Sequence, residues 1–160
     1  MLFRSRIIII GDSYTYGSGT DNPATESWPG LIAQACPKYS VVNLGLRGAD
    51  NLTIVEQLWD TAGADTSLII FAMSFNTRFQ LANPEYSGHG LPTITISPQS
   101  QHTAWSNPVA GAKLNQWTED FYRYFYNNHL GYNYATVCLL SAYACSQYVG
   151  AEFMWSRPIQ

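Results

Sequence analysis

Charge is scarce in this sequence. Only 12% of the residues are Asp, Glu, Lys or Arg, and 11 acidic side chains against 8 basic ones leave a formal net charge of −3. With a pI near 5.4 and no basic cluster, phosphate backbones find nothing to bind, so nucleic acid is excluded as an expected partner. Cysteine is just as sparse. Cys36, Cys138 and Cys145 are odd in number and fit neither a zinc spacing nor a disulfide framework, so they read as reduced, mostly buried thiols. That is the state of a reducing, cytoplasmic compartment. Long apolar runs are missing too: the amino-terminal one follows Arg4 and Arg6 and ends after Ile10, short of a signal-peptide core or a membrane span. A soluble chain with no membrane partner is expected. Asp, Glu and His are scattered rather than spaced as metal ligands, so neither metal nor cofactor is expected. Phosphate loops fail as well, because Gly17-Ser18-Gly19 lacks the third glycine of a dinucleotide fingerprint and no Gly-Lys-Ser/Thr closes a P-loop.

What is present is apolar. Hydrophobic residues make up 46% of 160 positions, with no repeat and no low-complexity linker, which reads as one domain burying roughly two thirds of its unfolded surface. Ile7 to Ile10 form a run of four β-branched residues without alternation, suited to a central strand buried on both faces of a parallel sheet. Gly11-Asp12-Ser13 follows at once. Taken alone, a glycine and two small polar residues after a strand describe any turn. Placed at the carboxyl end of a parallel strand, Ser13 also occupies the position where open α/β sheets collect ligands.

The rest of the chain keeps a strand and helix rhythm. A polar connection over Tyr14 to Thr25 leads to a helix capped by Ser27, with Pro29 in its first turn, that runs to about Cys36. Tyr39 to Leu44 reads as a second strand, and Asp50 or Asn51 caps a helix to about Thr61 with Ile54, Val55 and Leu58 as its apolar stripe. Ser67 to Met73 is a third buried strand. The stretch from Asn76 to about Ala112 is rich in Pro, Ser, Asn and Gln, too long for an ordinary connection, and Thr93 to Ile96 alternates like a short edge strand. Leu114, Trp117, Phe121, Tyr124 and Phe125 recur at helical spacing and are expected in the core. A helix from about Tyr132 to Tyr148, apolar nearly all round, should pack on several sides and end at Gly150. Ala151 to Trp155 would then be the fourth strand of the sheet.

Three strand ends thus carry candidates on one rim: Ser13, Gly48 and Asn76. A nucleophilic serine needs donors aimed at the oxyanion it creates, and its own amide, a glycine amide and an asparagine side chain are suitable types. Here the chain resembles the SGNH (GDSL-type) hydrolase superfamily. Gly11-Asp12-Ser13 matches the first block of that family, Val42 to Asn51 is similar to the second, and Ser74-Phe75-Asn76-Thr77 stands in place of the third, with Ser74 and Thr77 where the family has Gly and Asp. Gly-Asp-Ser-Tyr-Thr-Tyr-Gly-Ser-Gly, Ser-Trp-Pro-Gly-Leu and Phe-Asn-Thr-Arg-Phe are also similar to SGNH-like proteins of bacteriophages.

The resemblance implies a flavodoxin-like three-layer α/β/α sandwich with a mainly parallel central sheet. It further implies Ser13 as nucleophile, the Ser13 and Gly48 amides and the Asn76 side chain as oxyanion hole, and an ester of a small molecule, carbohydrate or lipid as substrate. The fourth family block, Asp-X-X-His, is absent. Residues 1–160 therefore read as one SGNH-like domain shortened at its carboxyl end, its activity weak or lost, with an exposed sheet edge open to homo-oligomers. The alternative is a non-catalytic carbohydrate-binding or structural module that keeps the fold, with aromatics such as Tyr14, Tyr16, Trp28 and Trp105 as a platform. Of the three histidines, His129 is expected at a helix carboxyl end, where its positive form suits the dipole. His89 and His102 lie in the long loop and remain candidate bases, with His102 carried forward.

Overall fold

Four β-branched side chains in a row leave a strand no polar face, so it must be covered on both sides. The computed structural model of the chain describes residues 5–82, 93–98 and 108–157. In it Ile7 to Ile10 are all buried, within β1 (Arg6–Gly11), at the centre of a sheet ordered β2-β1-β3-β6. Its neighbours are β2 (Ser40–Gly45) and β3 (Thr66–Ala72), and β3 pairs on its far side with β6 (Glu152–Ser156). Every pairing is parallel. The chain is an α/β protein with a four-stranded, all-parallel sheet flanked by helices, as the strand and helix rhythm implied.

The register separates two faces. Ile8, Ile10, Ile69 and Phe71 point to one side, where they pack with α4 (Asn51–Thr61) through Ile54, Val55 and Leu58 and with α6 (Asn128–Val149) through Cys138, Ala142 and Cys145. Each such side chain taken fully out of water contributes roughly 1.5–3 kcal/mol, so this face holds most of the hydrophobic stabilisation. The other face carries Ile7, Ile9 and Gly11 and receives α1 (Ser13–Tyr16), with α3 (Trp28–Ala35) packed against β2. Between those helices the connection is not wholly irregular, because Asn22 caps α2 (Pro23–Glu26) by accepting from the Ala24 N–H at 3.2 Å.

Capping chemistry sets the other ends where it was expected. Ser27 Oγ accepts from the Gly30 N–H at 3.2 Å, Asp50 Oδ1 from the Thr53 N–H at 3.0 Å, and Gly150 closes α6 at φ 68°. The edge strand read at Thr93 to Ile96 is β5 (Thr93–Ile96), antiparallel to β4 (Phe79–Ala82) in a separate two-stranded sheet.

Two packing expectations are corrected. The aromatic stripe after Leu114 does not stay in the core: Leu114 is buried, but Trp117 is 53% exposed and Tyr124 and Phe125 are each 69% exposed. For Tyr124 and Phe125 the cause is a change of helical pitch. α5 (Pro108–Asp120) runs into a π turn over Phe121–Phe125, closed by Tyr126 N–H donating to Phe121 O at 2.8 Å, and the wider turn rotates later side chains off the 3.6-residue stripe. Nor does α6 pack on several sides. One face is buried, while Val137, Leu140, Tyr143 and Tyr148 are exposed.

All three cysteines are free thiols, with Cys138 and Cys145 buried and Cys36 half-buried. Burial, helped by the negative charges of Asp50 and Glu56, pushes the Cys138 thiol up to about 12. Folding therefore holds a proton that the unfolded thiol releases near its ordinary 9.0, and the stability this represents, complete below about pH 9, is lost as the pH rises toward about 12. Burial moves Cys145 and Tyr134 in the same direction. Melting temperatures recorded between pH 8 and pH 11 should fall steadily above about pH 9, and a flat profile would show that these groups titrate alike in both states. A second test concerns close packing. A Cβ on Gly45 would sit 2.1 Å from Tyr16 N and 2.5 Å from Thr15 C, both backbone atoms that cannot step aside. Gly45→Ala is expected to cost about 1–3 kcal/mol in urea unfolding.

Candidate active site

Where β1 ends, the backbone turns within two residues. A Cβ on Gly11 would lie 2.2 Å from Thr15 Oγ1 and 2.9 Å from Ala72 Cβ, so only glycine lets α1 fold back onto the strand. Asp12, in extended conformation, caps the new turn by accepting the Tyr14 N–H on Oδ1 at 3.1 Å. Ser13 is the first residue of α1 and is half-buried. Gly17, at φ 94°, ends the turn by donating to Ser13 O at 3.2 Å.

The loop after β2 is tied to this turn. Leu46 N–H donates to Gly11 O at 2.9 Å, and the Asn43 side chain donates to Thr15 O at 3.0 Å while accepting from Gly45 N–H at 2.9 Å. Gly48 follows with φ 74°, a left-handed conformation that favours glycine, and faces open space.

The loop after β3 joins through a buried polar knot. Asn51 and Ser74 exchange two hydrogen bonds, Ser74 N–H to Asn51 Oδ1 at 2.8 Å and Asn51 Nδ2 to Ser74 O at 3.2 Å. Ser74 Oγ lies 2.9 Å from the Ala49 carbonyl oxygen and 3.2 Å from Asp12 Oδ2. Arg78 completes it, its Nη1 donating to Asp12 Oδ2 at 3.0 Å and to Ser74 Oγ at 2.9 Å. Asp12 is only 4% exposed, so this ion pair answers a charge that water cannot reach. Beside the knot, Asp50 Oδ2 accepts from the Tyr134 hydroxyl, whose pKa is raised by burial first and by that hydrogen bond second. The Tyr122 hydroxyl, raised mainly by burial, lies against the carbonyl oxygens of Thr77 and Ile96 and anchors the far side of the β3 loop.

Ser13, Gly48 and Asn76 therefore follow the carboxyl ends of three adjacent parallel strands, in loops that the Asp12, Asn51, Ser74 and Arg78 side chains hold together. Among the described residues, Ser13 Oγ, the Gly48 N–H and the Asn76 side chain have no recorded hydrogen-bond partner. Asp12, although next to Ser13 in sequence, has both carboxylate oxygens engaged and serves the turn rather than a proton transfer.

Among the described residues no histidine is hydrogen-bonded to this rim. His102 and His89 lie outside the described residues, and His129 is exposed in the first turn of α6. That corrects its expected place at a helix carboxyl end, because the helix of Phe121 stops at the π turn and a new one, capped by Asn127, begins at Asn128. A cation there meets the positive end of the dipole. Among the described residues no three His, Cys, Asp or Glu side chains converge to hold a metal ion, and no helix is long and apolar enough to cross a membrane. Arg78 had no signal of its own in the sequence. Ser74 had one, as the residue standing where a glycine was expected.

No protein-family model matches the chain, and no curated protein matches its sequence. Among solved structures it is similar to AlinE4, an SGNH-hydrolase family esterase, and to two point mutants of that esterase. In each case the identity is 16% over 96% of this chain and 76% of the other, with a TM-score of 0.38, which is a distant likeness at the level of fold.

The Asp12 and Arg78 pair yields a direct test. Arg78→Gln should destabilise the protein by about 3 kcal/mol, because it leaves a buried carboxylate without its counter-charge. Asp12→Asn added to that variant should recover part of the loss in urea unfolding. Additive losses would mean that the two side chains are not coupled.

Proposed function

We propose that this protein is a serine hydrolase of the SGNH type, acting slowly on an acyl ester of a carbohydrate or lipid. Ser13 attacks the ester carbonyl, and the oxyanion is received by the amides of Ser13 and Gly48 and the side-chain amide of Asn76. The Ser13 hydroxyl proton passes through solvent to the departing alcohol, and water then cleaves the acyl-serine, giving the acid and restoring the serine hydroxyl. The observation that carries the reading is the hydrogen-bonded joining of the loops after β1, β2 and β3, which holds a half-buried serine and two unengaged donors on one rim. A slow rate is part of this reading, because no Asp-X-X-His block occurs within residues 1–160. Without its base, an oxyanion hole with substrate binding still gives roughly 10³–10⁴ over water, and most of the remaining acceleration is lost.

The second reading is a binding module on the same fold, since among the described residues no histidine is hydrogen-bonded to Ser13. A fluorophosphonate separates the two, since it needs an activated serine and no guessed substrate. Intact mass should show one adduct on the protein and none on Ser13→Ala. Asn76→Ala should slow labelling by about 10²-fold, the ordinary effect of removing one oxyanion donor. Absence of any adduct on folded protein would leave the binding module.

A further inference from the structure

The two faces of the sheet are covered unequally. On the α1 and α3 face, Ile7 and Ile9 of β1 are buried, but their partners Leu68 and Ile70 on β3 are only half-buried. Further out, Met154 of β6, paired with Ile70, is 57% exposed. Cover therefore thins from the centre of the sheet toward β6. The gap is a cavity of about 450 Å³ whose walls include Trp28, Ile70, Ala72 and Met73. That volume is within the range of small-molecule sites, roughly 300–1,000 Å³.

Of the polar groups in its lining, Arg157 gives the cavity its chemical preference. Thr15 also lines it, but its Oγ1 is sealed within the wall, with no hydrogen-bond partner among the described residues. Arg157 lines it and is exposed, with no carboxylate in ion-pair range among the described residues and only the Trp155 ring nearby, 6.0 Å from its guanidinium carbon. Asp12 also lines the cavity, but its charge is already paired with Arg78 at 3.0 Å. A neutral apolar guest would leave Arg157 unanswered, and a small polar anion would leave the apolar wall wet. Ser13 is not among the lining residues, although its neighbours Asp12, Tyr14 and Thr15 are, so the cavity adjoins the turn that carries the serine.

We infer that this cavity binds an amphiphilic monocarboxylate, its hydrocarbon body against Trp28, Ile70 and Met73 and its head at Arg157. Octanoate is the probe, with octanol and acetate as controls, followed by calorimetry on the wild type, Ser156→Trp, Arg157→Gln and Ser13→Ala. Ser156 is an exposed lining residue at the end of β6, so the larger side chain occludes the cavity without entering the core. Expected are saturable binding of one octanoate, a loss of about tenfold or more in Ser156→Trp, and roughly fivefold weakening both in Arg157→Gln and for octanol. Acetate should not compete, and Ser13→Ala should bind like the wild type even where it abolishes labelling. The inference is overturned if folded wild-type protein shows no saturable binding. It also fails if folded Ser156→Trp binds unchanged, or if octanol binds as tightly as octanoate.

Discussion

A carboxylate that water cannot reach has to be answered by the protein, and Asp12, at 4% exposure, sits where three strand ends meet. Leaving such a charge unpaired costs several kcal/mol, so the surrounding loops are constrained by where its partners can stand. Arg78 supplies the counter-charge from the loop after β3, and Ser74 Oγ stands between that carboxylate, at 3.2 Å, and the Ala49 carbonyl in the loop after β2, at 2.9 Å. Asn51 then pairs with the Ser74 backbone, which ties the start of α4 to the end of β3. The geometry of the rim follows from this one electrostatic requirement. Ser13, Gly48 and Asn76 lie beside it and do not pay for it.

The same rim explains the place of Ser74. A glycine there would leave the Ala49 carbonyl and Asp12 Oδ2 with Arg78 alone, whereas the hydroxyl donates to the Ala49 carbonyl at 2.9 Å, accepts from Arg78 at 2.9 Å and stands 3.2 Å from Asp12 Oδ2. The knot thereby gains a hydrogen-bonding group within a site where an unmade bond is costly. Around it the aromatic side chains act as struts. Phe79 contacts Phe121, Tyr126 and Tyr134, and the Tyr122 and Tyr134 hydroxyls reach Thr77 and Asp50, so the loop after β3 is held from the helical side as well.

Away from the rim, stability is distributed unevenly. The α4 and α6 face contains the contiguous apolar cluster, from Ile54 and Leu58 to Ala142 and Cys145. On the opposite face, cover is complete over β1 and partial over β3, and the cavity beside Trp28 is the result. A single sheet thus carries a polar rim at its strand ends and an apolar recess on one face, with Asp12 at the border of the two.

Much of this was legible in order along the chain, because it depends on local chemistry. Four consecutive isoleucines specify a strand covered on both faces, Gly11 and Gly17 permit the turn around Ser13, and Ser27, Asp50 and Gly150 mark helix ends through hydrogen bonds made within a few residues. Local pattern failed where pitch or distance intervened. Periodicity placed Tyr124 and Phe125 in the core, but a π turn changes the angle per residue, and 3.6-residue counting cannot anticipate it. His129 was assigned to the wrong end of a helix for the same reason. By itself the sequence determined the order of the four strands of the parallel sheet, the helix ends at Ser27, Asp50 and Gly150, and the position of Ser13 at a strand end. Only the tertiary structure decided that Arg78, 66 residues from Asp12, is its partner, because an ion pair between loops depends on strand order and register rather than on spacing in the chain.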